Sequence, residues 1–199
     1  MKKKILLFGI TTMLCLRLFC QEYLPAKWKV YNSDSLASFQ LRSSKGSVIH
    51  FPASSKQIRV IALLSPECPL CKNYSVKLIS LKNKFEKTVN FIGIIPGSFD
   101  AKDVAEFQKQ YMPSWEILRD TSLKLTHYLE GKVTPEVIVI DNKNGRLIYK
   151  GAIDDWLVSL GKTKNHISNY YLEVALNNFF NDKPAIPFTE PVGCLINDF

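Results

Sequence analysis

Two cysteines with two residues between them, Cys68-Pro69-Leu70-Cys71, separate two segments of different periodicity. That placement constrains the chain more than any other feature. Before them, Ile58-Arg59-Val60-Ile61-Ala62-Leu63-Leu64 is a nearly unbroken apolar run with β-branched members, the pattern of a strand buried on both faces. After them, Tyr74, Leu78, Leu81 and Phe85 recur at spacings of 4, 3 and 4, with Lys72, Lys77, Lys82 and Lys84 among them. This predicts an amphipathic helix with a solvated lysine face. Ser65-Pro66-Glu67 breaks the strand, Cys68 falls at the expected N-cap, and Pro69 takes the first helical position, where its missing N–H costs nothing.

A cysteine at a helix N-terminus faces unpaired amides and the positive end of the helix dipole, and both favour its thiolate. Cys71 lies one turn further in and is expected to be more buried. An ionisable thiol with a neighbouring resolving thiol is a dithiol exchange couple. Two other readings compete. A zinc site needs two more ligands, and His50, His127 and His166 stand at no ligand spacing. An inert structural disulfide is the other.

The rest of the chain supplies a frame for this junction. Phe39-Gln40-Leu41-Arg42 and Val48-Ile49-His50-Phe51, around a Ser44-Lys45-Gly46 turn, predict an N-terminal hairpin. Val89–Ile95 predicts a second buried strand, closed by Pro96-Gly97. Ala101, Val104, Phe107 and Tyr111 predict a helix stopped by Pro113, and Trp115–Arg119 a short strand. Thr121–Leu129 predicts a short helix ended by Gly131. Val137–Ile140 and Arg146–Tyr149 around Asp141–Gly145 predict a second hairpin. Asp154-Asp155-Trp156 predicts a loop and helix N-cap before a C-terminal helix that runs from about Ile167 to Phe180. This order predicts an α/β fold, a mixed central sheet flanked by helices, with an N-terminal hairpin and an inserted helix-strand unit.

The N-terminus carries a different message. Lys2, Lys3 and Lys4 precede an apolar stretch from Ile5 to Leu16, the form of an export signal. Arg17 cuts the run to about 12–15 residues, short of the roughly 20 that span a membrane. Cys20 raises a lipidated form, although Leu18 and Phe19 are poor lipobox residues. The expected organisation is a signal peptide over 1–20, a linker over 21–35, the domain over 36–181 and a flexible tail over 182–199. The whole chain has 26 basic and 18 acidic residues. Losing 1–20 removes four basic residues and no acid, leaving 22 against 18 and a net charge of +4. That is no nucleic-acid footprint. Export places the chain in the periplasm or on the outer face of the inner membrane, where disulfides persist. Three cysteines remain beyond the signal, Cys68, Cys71 and Cys194, so at least one thiol lacks a standing intramolecular partner.

Val133-Thr134-Pro135-Glu136 precedes the last apolar strands. The Thr134–Pro135 bond is a candidate for the cis form, which costs only ~0.5–1 kcal/mol before proline. The plainer alternative is a trans proline that starts a strand.

Strand, Cys-Pro-Leu-Cys, helix, then Thr-Pro before a hairpin resembles the thioredoxin superfamily over about residues 36–181. The helix-strand unit between 101 and 119 resembles its redoxin branch, which includes peroxiredoxins of the alkyl hydroperoxide reductase type and exported, membrane-tethered thioredoxins. Leu64–Cys71, Thr134–Val137 and Gly151–Asp155 are similar to a bacterial group of exported redoxin-domain proteins. The resemblance implies a thioredoxin-like fold, with Cys68 as nucleophile and Cys71 as resolving thiol. It implies that Thr134 and a cis Pro135 form the substrate-docking edge.

The chain also departs from the thioredoxin pattern. Glu67 replaces the tryptophan before the first cysteine, and Ala62 stands where thioredoxin has a buried aspartate. A carboxylate at Glu67 would raise the Cys68 pKa and Lys72 would lower it. Proton transfer from Cys71 then falls to Glu67, Glu136 or water. The peroxidase alternative rests on Ser65, three residues before Cys68. Ile61 occupies its expected proline position, and Arg119 or Arg146 would have to polarise peroxide. Cys194 is either a free thiol under the tail, a third redox thiol, an intermolecular partner, or a copper or zinc ligand with His127 or His166. The expected activity is thiol–disulfide exchange with protein substrates and a redox-recycling partner, with no dissociable cofactor and no metal.

Overall fold

The computed structural model describes residues 29–196. The expected signal segment and residues 21–28 lie outside the described residues. The seven-stranded sheet at its centre has the order β2-β1-β5-β4-β3-β7-β8. Its strands are β1 Gln40–Ser43, β2 Val48–His50, β3 Ile58–Leu63, β4 Val89–Pro96, β5 Glu116–Asp120, β7 Glu136–Asp141 and β8 Leu147–Gly151. β3, β4 and β5 run parallel, whereas β7 is antiparallel to β3, and β1 to β5. The sheet is therefore mixed, as the alternation of strand and helix signals predicts.

Helices cover both faces because β3 is apolar on both. Val60 and Ala62 face one cluster, into which Leu78, Phe107 and Leu176 pack. These come from α2 Pro69–Lys84, α3 Ala101–Tyr111 and α5 Tyr171–Phe180. Ile61 and Leu63 face the other cluster, with Leu36 and Leu125 from α1 Ser33–Ser38 and α4 Lys124–Tyr128. The period-2 alternation of a strand thus divides one apolar run between two cores. Arg59 is buried within this run; its guanidinium donates to the Pro52 carbonyl (2.8 Å) and lies 4.7 Å from the centre of the Phe51 ring.

Five expectations need correction. The segment taken as linker is structured from residue 29 onward: Tyr31 is buried, and Asn32 caps α1 by accepting from the amides of Asp34 and Ser35. The predicted helix over Thr121–Leu129 begins only at Lys124. The Asp120 carboxylate accepts from the Thr126 amide (2.7 Å) and hydroxyl (2.8 Å), and Leu123 adopts φ 59°, which uses up the first residues as a turn. The C-terminal helix starts at Tyr171 rather than Ile167, with Tyr170 as N-cap. Asp155 is no cap: its carboxylate takes the amides of Ser168 (2.9 Å) and Asn169 (3.1 Å) and binds Lys164 (2.6 Å). The small hairpin of β9 Leu157–Ser159 and β10 Lys162–Thr163 fills the interval. Finally, the tail is not loose. Cys194–Leu195 forms β11, paired antiparallel with β6 Val133–Thr134.

Candidate functional site

β3 ends at Leu63, where the Leu64 amide still donates to the Ile94 carbonyl on β4 (2.8 Å). Pro66 cannot extend the ladder, and the chain turns through Ser65–Glu67 into α2. Cys68 is the N-cap of α2 in extended backbone, and Pro69 is its first residue. The Cys68 carbonyl accepts from the Cys71 amide (3.1 Å) and more distantly from Lys72 (3.4 Å). Cys68 therefore stands at the N-terminus of a helix of 16 residues, and its side chain makes no capping bond of its own.

The second wall of the site is the bend between β6 and β7. The Thr134–Pro135 peptide bond is cis. The Thr134 carbonyl oxygen lies 3.2 Å from the Cys68 sulfur. Cys71 is fully buried; its sulfur accepts from the Ser65 amide at 3.3 Å. Burial pushes the Cys71 thiol up to about 11, only partly offset by hydrogen bonds from the Ser65 amide and the Thr134 side chain. Ser65 thus acts here through its backbone, whereas its hydroxyl accepts from the Glu67 amide (3.3 Å).

The sulfur partnership differs from the expected one. Cys68 is bonded to Cys194, with Cα atoms 6.1 Å apart, and Cys71 is the free thiol. β11 carries Cys194 to this position by pairing Cys194 with Thr134 and Leu195 with Val133. The reading of Cys194 as a free thiol under a flexible tail is corrected accordingly. Sequence periodicity could not reveal a two-residue strand; the odd cysteine count and the Gly193-Cys194 step were the available signals.

The auxiliary candidates are distributed unevenly. Glu67 is exposed at the rim. The Lys72 ammonium lies 5.7 Å from the Tyr111 ring centre, drawn toward α3. Glu136 is buried, its carboxyl raised by desolvation against the pull of Lys150 and the Lys132 amide. Strand alternation puts Glu136 on the face of Ile138 and Ile140, whereas Val137 and Val139 share the face of Cys71. The sheet thus separates Glu136 from Cys71. Of the two arginines, Arg146 sits beyond Asp141, at the end of β7 remote from Pro135. Arg119 donates to the Phe99 carbonyl (2.5 Å), on the wall of a cavity of about 240 Å³ that Ser65, Thr134 and Ile196 also line. Among the described residues no group of three or more His, Cys, Asp or Glu side chains is placed to hold a metal ion.

Neither a protein-family model nor a curated protein sequence matches the chain. Solved structures do. A hypothetical protein from Sinorhizobium meliloti 1021 superposes with a TM-score of 0.73 at 18% identity, over 88% of this chain and 97% of that one. A thioredoxin-like protein from Aeropyrum pernix gives 0.54 at 16%, over 85% and 98%. A secreted Mycobacterium tuberculosis disulfide oxidoreductase homologous to Escherichia coli DsbE gives 0.50 at 17%, over 57% and 84%. The chain has the thioredoxin-like fold.

Proposed function

We propose that the protein is an exported thiol–disulfide oxidoreductase that exchanges disulfides with protein substrates through Cys68 and Cys71. The observation that carries this reading is the meeting of three elements. Cys68 stands at the N-terminus of α2, Cys71 is buried one turn behind it, and the Thr134 carbonyl beside the cis Pro135 lies 3.2 Å from the Cys68 sulfur.

In the reducing direction, the Cys68 thiolate attacks one sulfur of a substrate disulfide. A Cys68–substrate disulfide forms and the other substrate sulfur leaves as a thiolate that takes a proton. Cys71 then loses its proton and attacks the Cys68 sulfur, and the second substrate thiolate leaves. Two electrons pass to the substrate, and the protein is left with a Cys68–Cys71 disulfide. The recycling partner reverses these steps. The helix amides and dipole favour the thiolate at Cys68, while burial keeps Cys71 protonated until it is needed. The edge of β6, which β11 covers in this structure, is where an extended substrate segment would add a strand.

Export is supported by the basic and apolar run of residues 2–16. Among the described residues no helix is long and apolar enough to cross a membrane. The test compares wild type, Cys68→Ser and Cys71→Ser in insulin reduction and in peroxide consumption. Cys68→Ser is expected to abolish insulin reduction, and Cys71→Ser combined with Cys194→Ser, which leaves no second thiol at the site to resolve it, to accumulate a mixed disulfide with the substrate. Peroxide consumption that depends on Cys68, without insulin reduction, would replace this reading with a peroxidase.

A further inference from the structure

The tail is held at two points that differ in kind. At the first, the Thr189 amide donates to the Lys150 carbonyl (3.2 Å). The Thr189 hydroxyl accepts from the Ala152 amide (2.9 Å) and bonds the Tyr149 hydroxyl (2.6 Å). Gly151 makes room for this crossing. At its φ of +137° a Cβ would overlap the Thr189 carbonyl, whose carbon would lie only 2.9 Å away. This anchor is non-covalent, partly buried and independent of redox state.

The second point is Cys194. It is covalently bonded to Cys68 and strand-paired to Thr134, the backbone that adjoins the Cys68 sulfur. The preceding residue shows that the seat is shaped for this segment. A Cβ on Gly193 would overlap the Thr134 carbonyl oxygen and stand 2.8 Å from its carbon. Only a residue without a side chain approaches that closely. Beyond Cys194 the segment is held by Ile196, which packs on the core. The Ile196 amide donates to the Lys132 carbonyl (3.1 Å), and Leu195 is 73% exposed. Among the described residues, β6 has no strand partner besides β11. The tail therefore occupies the edge that a substrate strand would need.

We propose that Cys194 is a third exchanging thiol and that residues 193–196 are an internal substrate segment. Cys71 displaces it from Cys68, which opens the β6 edge to protein substrates. This rests on the reading of Cys68 as the exchanging thiol. Cys71 gives its proton to water, and its thiolate attacks the Cys68 sulfur. The Cys68–Cys71 bond forms, the Cys68–Cys194 bond breaks, and Cys194 leaves as a thiolate that takes a proton from water. The step is an isomerisation between two oxidised forms and needs no oxidant or reductant. The groups it needs are already on site: the free thiol is Cys71, one turn behind Cys68 at the start of α2, and its sulfur accepts from the Ser65 amide (3.3 Å). Once Cys194 is free, β11 is held by its two-residue ladder, the Ile196–Lys132 hydrogen bond and the packing of Ile196 on the core, while Thr189 keeps the segment tethered nearby. The protein then alternates between a closed oxidised form, its substrate edge occupied by its own chain, and an open one.

The test uses the full-length chain. Air-oxidised wild type, Cys71→Ser, Cys194→Ser and Gly193→Val are alkylated at acid pH, digested and mapped by mass spectrometry. The same proteins are assayed for insulin reduction. Cys71→Ser is expected to carry Cys68–Cys194, and Cys194→Ser to carry Cys68–Cys71. In Gly193→Val the ratio of Cys68–Cys194 to Cys68–Cys71 is expected to fall by about fivefold or more, the factor that the low end of overpacking costs corresponds to. Cys194→Ser and Gly193→Val should reduce insulin severalfold faster than wild type. No Cys68–Cys194 bond in oxidised Cys71→Ser, or an unchanged isomer ratio in Gly193→Val, overturns the proposal. So do equal insulin rates in wild type, Cys194→Ser and Gly193→Val when Cys68→Ser is inactive. Mapping requires no turnover. If no variant reduces insulin, the oxidoreductase reading fails separately and the isomer ratio still decides the tail.

Discussion

Breaking the Cys68–Cys194 bond should cost the fold more than any single side-chain contact in the site. The bond joins residues 126 apart. The chain-entropy relation for a loop of that length gives about 5 kcal/mol at 25 °C, against about 2 kcal/mol for the four-residue ring that Cys68 and Cys71 would close. The relevant comparison uses Cys71→Ser and Cys194→Ser, each with Cys15 and Cys20 replaced by serine so that only one disulfide can form. For a domain of this size, 1 kcal/mol moves the melting temperature by about 2–4 °C. Oxidised Cys71→Ser should therefore melt about 10–20 °C above its own reduced form. Oxidation of Cys194→Ser should raise the melting temperature by less than half as much. Calorimetry or circular dichroism with and without dithiothreitol reads both differences. A Cys71→Ser protein that gains no more from oxidation than Cys194→Ser would refute the long loop closure, and with it the seat of the tail on β6.

Other outcomes follow from individual contacts. The Cys71 thiol is raised from 9.0 to about 11 by burial, so the folded state holds this proton more tightly than the unfolded chain does. The resulting stability is complete below pH 9 and is lost as pH rises through 11, about 2–3 kcal/mol over the window; urea unfolding of reduced wild type should lose that much relative to Cys71→Ala, and a constant difference would contradict the burial. Tyr74→Phe removes the buried hydroxyl that donates to Asp154 (2.8 Å) and should cost about 1–3 kcal/mol in urea midpoint experiments; an unchanged midpoint would show that the bond carries no weight. Asp155→Ala should leave α5 in place while the amides of Ser168 and Asn169 exchange faster with deuterium, because their acceptor is gone; retained protection would refute that assignment.

The two central strands and the helix after Cys68 were legible because each carries its own periodicity. So was the cap geometry, since Pro69 tolerates only the first turn of a helix. The helix starts at Lys124 and Tyr171 were not legible. At the first, Leu123 takes a left-handed conformation just before the helix and Asp120 caps the Thr126 amide inside the first turn; at the second, Asp155 holds the Ser168 and Asn169 amides ahead of the helix, and the period of apolar residues does not record such contacts. The position of Glu136 was beyond reach for another reason. Val137–Ile140 is apolar on both faces, so its pattern does not say which face Glu136 joins.

The sequence by itself determined that a pair of cysteines would lie at a strand-to-helix junction within an α/β sheet. Apolar period and proline chemistry act over a few neighbouring residues and can be read from them. Only the tertiary structure decided which cysteine Cys68 holds. Cys71 is three positions away and Cys194 is 126 away, yet the choice depends on a tail that crosses Gly151, fits Gly193 against Thr134 and completes the edge of β6. Those contacts join segments that share no local pattern and come into being only once the sheet has closed.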